Sequence, residues 1–534
     1  MKAFHIKFLI IAHFLLLIMT LTACSNEQDE YAHNNNNDLY DIDYQIDYEN
    51  NQENEPYPDE MGTEVLGPLT LDAILNKAYL RRQAIIKPDY NRLLELTERR
   101  VPTTANLHNF FTVSERADYV SISDAIADTE ELFGLIHDLY GGYLYFGGSE
   151  VFGETMSNIL AYLKDYGDDV ISVDTFSQTI HNHLSRIIID NHFHIEWQAV
   201  RQVSSAFYHT QDTLEFMSSE YGFRCKTTER YLVQIAEYNL NNLMHLHMNE
   251  SGEFFYSPII LLTEEYLPGS LDLEFFYSDG TNEFVSFEKE TPTRRNFIPP
   301  RLQHIEGIPV VAVRQMNFPE SAVGDAAHAR RFLSFAEELA DEPIIIVDIR
   351  SNGGGYGGLP RQWLHLLTGE LIPSNYISLR AWDYTDFMQS VAQSTPDNFF
   401  HISEETFIKY MNPAPFGDGY TIMDKEPPDR IVYREQVLIL LVDRFSASAA
   451  EAFTDLILNM TNTLIIGSNT NGTLNFDLTF GSLWLPRSGI HFGLGTTMHV
   501  FPEGHLIEGV GIVPDIWVAG DALDATIAML GQWR

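Results

Sequence analysis

The 534 residues carry 33 Lys and Arg against 75 Asp and Glu, a formal charge of -42, with 45% hydrophobic residues and only two cysteines. So large an acidic excess, with no basic stripe or aromatic-basic interleaving, excludes nucleic acid as a partner. The length is ample for two or more domains stabilised by core burial rather than by disulfides.

Residues 1–23 read as an export signal. Met1-Lys2 and Lys7 precede an apolar run from Phe8 to Leu21, and Leu21-Thr22-Ala23-Cys24 closes it with small residues. The Leu-x-Ala-Cys pattern resembles the lipobox of bacterial lipoproteins. That resemblance implies a lipid on Cys24, an anchor on the outer face of the cytoplasmic membrane and a location in the bacterial cell envelope; an ordinary secreted chain cut near Ala23, or an uncleaved anchor, is the competing reading. No other run of 18 apolar residues occurs, so no second membrane crossing is expected. Cys225 reads as a small buried apolar residue.

Residues 24–64 are Asn, Asp, Glu, Gln and Tyr with hardly an aliphatic side chain, the composition of a disordered acidic tether. No Asp-x-Asp-x-Asp-Gly pattern supports calcium there. Helical periodicity marks 65–220 as an N-terminal helical region, with helices expected over 71–84, 93–99, 122–139, 157–166 and 173–189. Short alternating runs such as Leu271-Asp272-Leu273-Glu274-Phe275, with a Ser278-Asp279-Gly280-Thr281 turn, make 221–295 a β-rich module. From 300 to 534 strands and helices alternate, with strands at 309–313, 343–349, 376–380, 436–442 and 464–466 and helices at 326–340, 359–367 and 447–460, which is an α/β pattern.

Two motifs carry chemistry. The apolar strand ending at Val442 breaks into Asp443-Arg444-Phe445-Ser446-Ala447-Ser448-Ala449-Ala450-Glu451, placing Ser448 at a helix N-terminus. A hydroxyl there can attack a carbonyl while free amides hold the oxyanion; equally, Ser448 with Glu451 is a capping box. The strand ending in Asp348-Ile349-Arg350-Ser351 runs into Asn352-Gly353-Gly354-Gly355, a loop able to aim peptide N–H groups into a site.

Together, Asp-Ile-Arg-x-Asn-Gly-Gly-Gly, Ser-Ala-Ser-Ala-x-Glu and the closing Glu508-Gly509-Val510-Gly511-Ile512-Val513-Pro514-Asp515 resemble the tail-specific (C-terminal-processing) serine peptidases and the related tricorn core. The resemblance spans about 308–530. It implies a crotonase-like α/β catalytic core and an enzyme that cleaves peptides or proteins. In it Ser448 is the nucleophile, Ala449 and Gly354 or Gly353 supply oxyanion N–H groups, Glu508 completes the set, and Ser446 is the competing serine. Many members carry a PDZ-like module where this chain has its β-rich one.

The base departs from the pattern. Thr473 stands where the Ser/Lys branch has lysine, and no lysine occurs from Ser448 to Arg534. The tricorn-like branch takes a histidine from an N-terminal turn, where this chain has Asp138-Leu139-Tyr140-Gly141-Gly142-Tyr143. Tyr143 then occupies the histidine position, a poor base at its ordinary pKa near 10, and His137 is the nearest candidate. His491, His499 and His505 are weaker ones. His181-Asn182-His183 and His192-Phe193-His194 read as surface pairs in a helical context, no metal-ligand spacing appears, and no cofactor is called for. Two readings stand: a serine peptidase at the cell surface, or a lipid-anchored peptide-binding scaffold that keeps the fold without the base.

Overall fold

A computed structural model of the chain describes residues 70–83, 110, 115–201, 205–210, 214–219, 221–263, 267–316, 326–380, 414–416, 420–422, 431–477, 480–501 and 507–532. The export signal, Cys24, the acidic tether, the helix expected at 93–99 and His505 lie outside these residues.

Helix α1 (Leu71–Gln83) buries Ile74, Leu75 and Ala78. At its end two arginines share one carboxylate, Arg81 Nη2 at 2.7 Å from Asp515 Oδ1 and Arg82 Nη2 at 2.6 Å from Oδ2. Arg82 also donates to the Thr463 carbonyl at 3.0 Å, and the Arg82 and Asp515 side chains are 2% and 3% exposed. The helix is thereby clipped to the C-terminal part of the fold.

Strand β1 (Tyr119–Ser121) feeds helix α2 (Ile122–Leu139), which packs on α3 (Gly148–Lys164). Strand β2 (Val170–Ser172) pairs antiparallel with β1 and feeds α4 (Val173–Leu184). Ser121 and Ser172 cap the two helices by accepting the N–H groups of Asp124 and Thr175, each at 3.1 Å. The helix expected to reach 189 stops at Leu184, and the stretch to 220 is not all helical: β3 (Asp190–Ile195) and β4 (Gln198–Arg201) form a hairpin. The reason is period two. Phe193 and Ile195 are buried while His192 and His194 point to the other face.

The β-rich module begins earlier than 221, at β5 (Ser205–Thr210) and β6 (Phe216–Ser219). It continues through β7 (Gly222–Cys225), β8 (Tyr231–Ile235), the one-turn helix α5 (Leu240–Leu243), β9 (Met244–Met248), β10 (Phe254–Thr263), β11 (Ser270–Tyr277) and β12 (Asn282–Lys289). Strand β10 pairs with β9, β5 and β6, and its Tyr256↔Phe216 pair closes a ring of seven antiparallel strands, β10-β5-β12-β11-β8-β7-β6. Tyr208, Phe216, Phe275 and Phe287 fill the core beside the ring, and Cys225 is buried with them.

The α/β core opens with the hairpin β13 (Arg301–Ile305) and β14 (Ile308–Ala312), then α6 (Ala326–Glu338), β15 (Ile344–Asp348) and α7 (Gly358–Thr368). Strands β16 (Ile377–Arg380), β17 (Ala414–Phe416) and β18 (Tyr420–Ile422) form a side sheet. Strand β19 (Val437–Val442), helix α8 (Ala449–Ile457) and β20 (Thr463–Gly467) return to the core. Strands β21 (Phe480–Trp484) and β22 (His491–Leu494) extend the β3–β4 sheet, β23 (Thr497–Val500) joins the side sheet, and β24 (Ile516–Trp517) precedes α9 (Ala522–Gln532).

Strands β14, β15, β19, β20 and β24 run parallel, with Ile346 beside Val310 and Ile439. Their near-continuous Val, Ile and Leu runs suit strands covered on both faces. Parallel pairing sets the carboxyl ends of β15 and β19 side by side, which is where an open α/β sheet places its site. Strand β24 also pairs with β9 through Trp517↔His247, so core and ring share one 14-stranded sheet. Among the described residues no helix is long and apolar enough to cross a membrane.

Candidate active site

The two motif loops meet. Ser448 caps α8 with φ 53° and ψ -113°, a backbone that costs a non-glycine residue about 1–3 kcal/mol. A Cβ placed on Gly354, whose φ is 96°, would lie 2.8 Å from Ser448 Cβ and 3.1 Å from Ala449 N. Only glycine lets the loop come this close, so the Ala449 amide faces the glycine loop. Asn352 holds the pairing: its carbonyl accepts Ala447 N–H at 2.9 Å, and its side-chain oxygen accepts Gly354 N–H at 3.0 Å. Among the described residues no acceptor engages the N–H of Ala449 or of exposed Gly353.

The two serines are physically distinct. Ser446 is fully buried; its hydroxyl donates to the Ile349 carbonyl at 3.0 Å and accepts Asp443 N–H at 3.1 Å. Ser448 keeps solvent exposure.

Glu451, one turn into α8 and fully buried, stabilises the Ser448 backbone. Its Oε2 accepts the N–H of Ser448 at 3.0 Å and the N–H and hydroxyl of Thr473 at 2.8 and 3.0 Å. Its Oε1 accepts the Thr470 hydroxyl and Gly472 N–H, both at 2.7 Å. Thr473 adds an acceptor for Ser448 N–H at 3.0 Å. It braces the serine's backbone.

On the other side of this turn lies Glu508, 3% exposed, accepting Asn475 N–H at 3.0 Å and Asn191 N–H at 3.4 Å. Burial, then the nearby carboxylates of Asp190 and Glu451, push it well above the usual range. Asn191 also donates its side-chain amide to the Gly472 carbonyl at 2.9 Å, so the start of β3 is laced to the turn that braces Ser448.

His192 follows directly, and the reading of His192-Phe193-His194 as a surface pair in helical context misses it. Its N–H donates to Asp190 Oδ1 at 2.7 Å, and its Nδ1 is buried without a hydrogen-bond partner among the described residues. Desolvation holds the imidazole down to about 4 against the opposing pull of Asp477, so it is neutral at pH 7. Asp190 also accepts Phe193 N–H at 3.2 Å and the Tyr140 hydroxyl at 3.0 Å; burial carries it up to about 7. The alternation of Phe193 and Ile195 after an Asp-Asn turn is the signal that places His192 on a strand rather than a helix.

The other candidates lie elsewhere. His137 Nδ1 is 2.8 Å from Asp138 Oδ1 and its ring meets Tyr143 edge-on at 5.1 Å, both at the end of α2; no hydrogen bond joins it to Ser448 or Glu508. The Tyr143 hydroxyl donates to Ser149 Oγ at 3.3 Å. His491 stacks on Trp197 with ring centroids 3.6 Å apart. His499 Nδ1 lies 2.9 Å from Ser378 Oγ, and its backbone pairs with Asn475. Among the described residues no three His, Cys, Asp or Glu side chains converge as metal ligands.

Residues 308–518, which hold both motif loops and Glu508, match the model of peptidase family S41. That stretch of the chain is similar to peptidase family S41. The S41 match starts at β14 and ends just past β24, while His192 and Tyr140 lie outside it. Solved structures similar to this chain include mature CPAF, at 13% identity with 77% of this chain and 95% of that one covered and a TM-score of 0.41. The photosystem II D1 C-terminal processing protease is similar at 13% identity, 74% and 92% coverage and a TM-score of 0.34. The tricorn protease is similar at 13% identity, 77% and 37% coverage and a TM-score of 0.31. Among curated proteins none matches this sequence.

Proposed function

We propose that this chain, whose residues 308–518 are similar to peptidase family S41, is a serine peptidase of the bacterial cell surface, lipid-anchored through Cys24, that hydrolyses peptides or proteins with Ser448 as nucleophile. The observation that carries the reading is Ser448 itself: half-buried, strained at φ 53°, and set against Gly354 with the Ala449 N–H alongside. Ala449 N–H and the glycine-loop N–H of Gly353 hold the oxyanion, Gly354 N–H being taken by Asn352 Oδ1. His192 takes the serine proton; its neutral form dominates above about pH 4, so its titration raises kcat/KM with pH around 4 and adds no further rise above that. Asn191 and Glu508 position the base strand against the Thr473 turn. Burial, with the nearby carboxylates of Asp190 and Glu451, raises Glu508 well above the usual carboxylate range and favours its protonated form.

The test is labelling with a fluorophosphonate probe. Wild-type protein labels, and Ser448→Ala loses labelling together with at least about 10³-fold of peptide hydrolysis. The scaffold reading rests on Gly354 N–H, which Asn352 already satisfies. Folded wild-type protein that binds peptides but neither labels nor hydrolyses them decides for it.

A further inference from the structure

The segment joining the β-ring to the α/β core, residues 290–300, runs past the glycine loop and sets an arginine beside it. Arg295 pins the segment. Its N–H donates to Ser351 Oγ at 2.9 Å, and its guanidinium donates to Asp521 Oδ2 at 2.8 Å and lies 3.9 Å from Asp443. Ser351, itself at φ 60°, donates its N–H to Asp443 Oδ1 at 2.7 Å and its hydroxyl to Oδ2 at 3.1 Å. Asp443 Oδ1 in turn accepts Phe445 N–H at 3.0 Å. One chain of hydrogen bonds therefore fixes the linker, the glycine loop and the turn before Ser448 relative to one another.

Arg294 is held between them. Its Nη2 lies 3.6 Å from the point where a Gly353 Cβ would stand, and its guanidinium carbon is 5.7 Å from the centroid of the Phe445 ring. The neighbouring arginines are neutralised: Arg314 and Arg350 share Asp348, and Arg350 and Arg295 share Asp521. Exposed Arg294 has neither an ion pair nor a hydrogen bond among the described residues, in a chain of net charge -42. A planar guanidinium fork, oriented by an aromatic ring and next to a residue without a side chain, is built to take a carboxylate from a backbone lying along the loop.

We propose that Arg294 is a specificity residue that binds a carboxylate of the peptide substrate on the Gly353 side of Ser448. This rests on the peptidase reading for its role in turnover, though not for the binding itself. Two sources offer the group, an Asp or Glu side chain and the free C-terminus.

Two matched peptide pairs test it, one ending in a free acid or an amide, the other carrying Glu or Gln at scanned positions. Wild-type protein prefers the carboxylate member of one pair by about tenfold in kcat/KM, the size of a charge-assisted contact at an exposed site. Movement in the acid/amide pair assigns the C-terminus; movement in the Glu/Gln pair assigns a side chain. Arg294→Ala brings the ratio to about one, Arg294→Lys keeps part of it, and Arg294→Glu turns it toward lysine-bearing peptides. A ratio near one in wild type, or an unchanged ratio in Arg294→Ala, overturns the proposal. If wild type hydrolyses nothing, the same ratios are read as Kd by fluorescence anisotropy with Ser448→Ala protein. That result sinks the peptidase reading and leaves Arg294 on trial, and equal Kd values, or no binding of either carboxylate peptide, overturn it as well.

Discussion

The turn at 470–475 has a buried glutamate on each side. Glu451 accepts five hydrogen bonds, from Ser448, Thr470, Gly472 and twice from Thr473. Glu508 accepts two, one of them at 3.4 Å, and faces the buried Asp190. A carboxylate saturated with donors acts as a bracket that stabilises a strained serine. One with few donors beside a second acid is a titrating group. The side proposed to carry the nucleophile is thus braced by hydrogen bonding, while the side proposed to carry the base holds carboxyl groups that burial raises.

The largest expected effect lies on the base side. His192→Ala lowers kcat/KM by about 10²–10⁴-fold, the usual contribution of a general base, while His137→Ala stays within about threefold. The reverse order in kcat/KM moves the base to the end of α2. Next is the bracket: Glu451→Ala leaves its buried donors unmatched and costs about 3 kcal/mol or more in denaturant unfolding. A smaller loss than that of Glu508→Ala would break the contrast between the two glutamates.

The pH dependence of stability sharpens it further. Asp190 ionises near 4 in the unfolded chain and at about 7 in the fold, so the fold holds its proton through that window. Its contribution is therefore complete below about pH 4 and declines as pH rises toward 7. Asp190→Asn removes this decline, and its stability relative to wild type rises between pH 4.5 and pH 8 by on the order of 2 kcal/mol. A flat difference in unfolding free energy across those two pH values refutes the assignment. The smallest effect is Tyr140→Phe, which deletes one hydrogen bond to Asp190, costs about 1 kcal/mol and moves the Asp190 titration upward, measurable by denaturation and by the pH profile of kcat/KM.

The nucleophile side is legible in the sequence for a local reason. Six apolar residues, Val437–Val442, end in small ones and a helix, and three glycines follow another apolar strand, so turn, cap and loop are written in consecutive residues. Placing both loops at neighbouring parallel strand ends is then nearly forced. The base side has no such record. Asn191 reaches Glu508 and Gly472 across separations of 317 and 281 residues, and no local period encodes contacts of that kind. His137 draws attention through its turn sequence, yet Asp138 and Tyr143 are its partners. The early start of the β-ring is missed because β5 and β6 are short and only Ala206, Tyr208 and Phe216 of their residues join the core beside the ring. Tertiary pairing decides such strands.

The clip between α1 and Asp515 bears on how this chain can be divided. Asp515 sits inside the stretch that matches the family, but the cations that neutralise it come from Arg81 and Arg82, 434 and 433 residues upstream. A fragment trimmed to 308–518 keeps a carboxylate that is 3% exposed and discards both of its counter-charges, together with the β9 strand that flanks β24. Burying an unpaired charge is among the costliest defects a fold can carry. The boundary of kinship and the boundary of independent folding are therefore different places along this polypeptide, and soluble protein is expected only from fragments that begin ahead of Leu71.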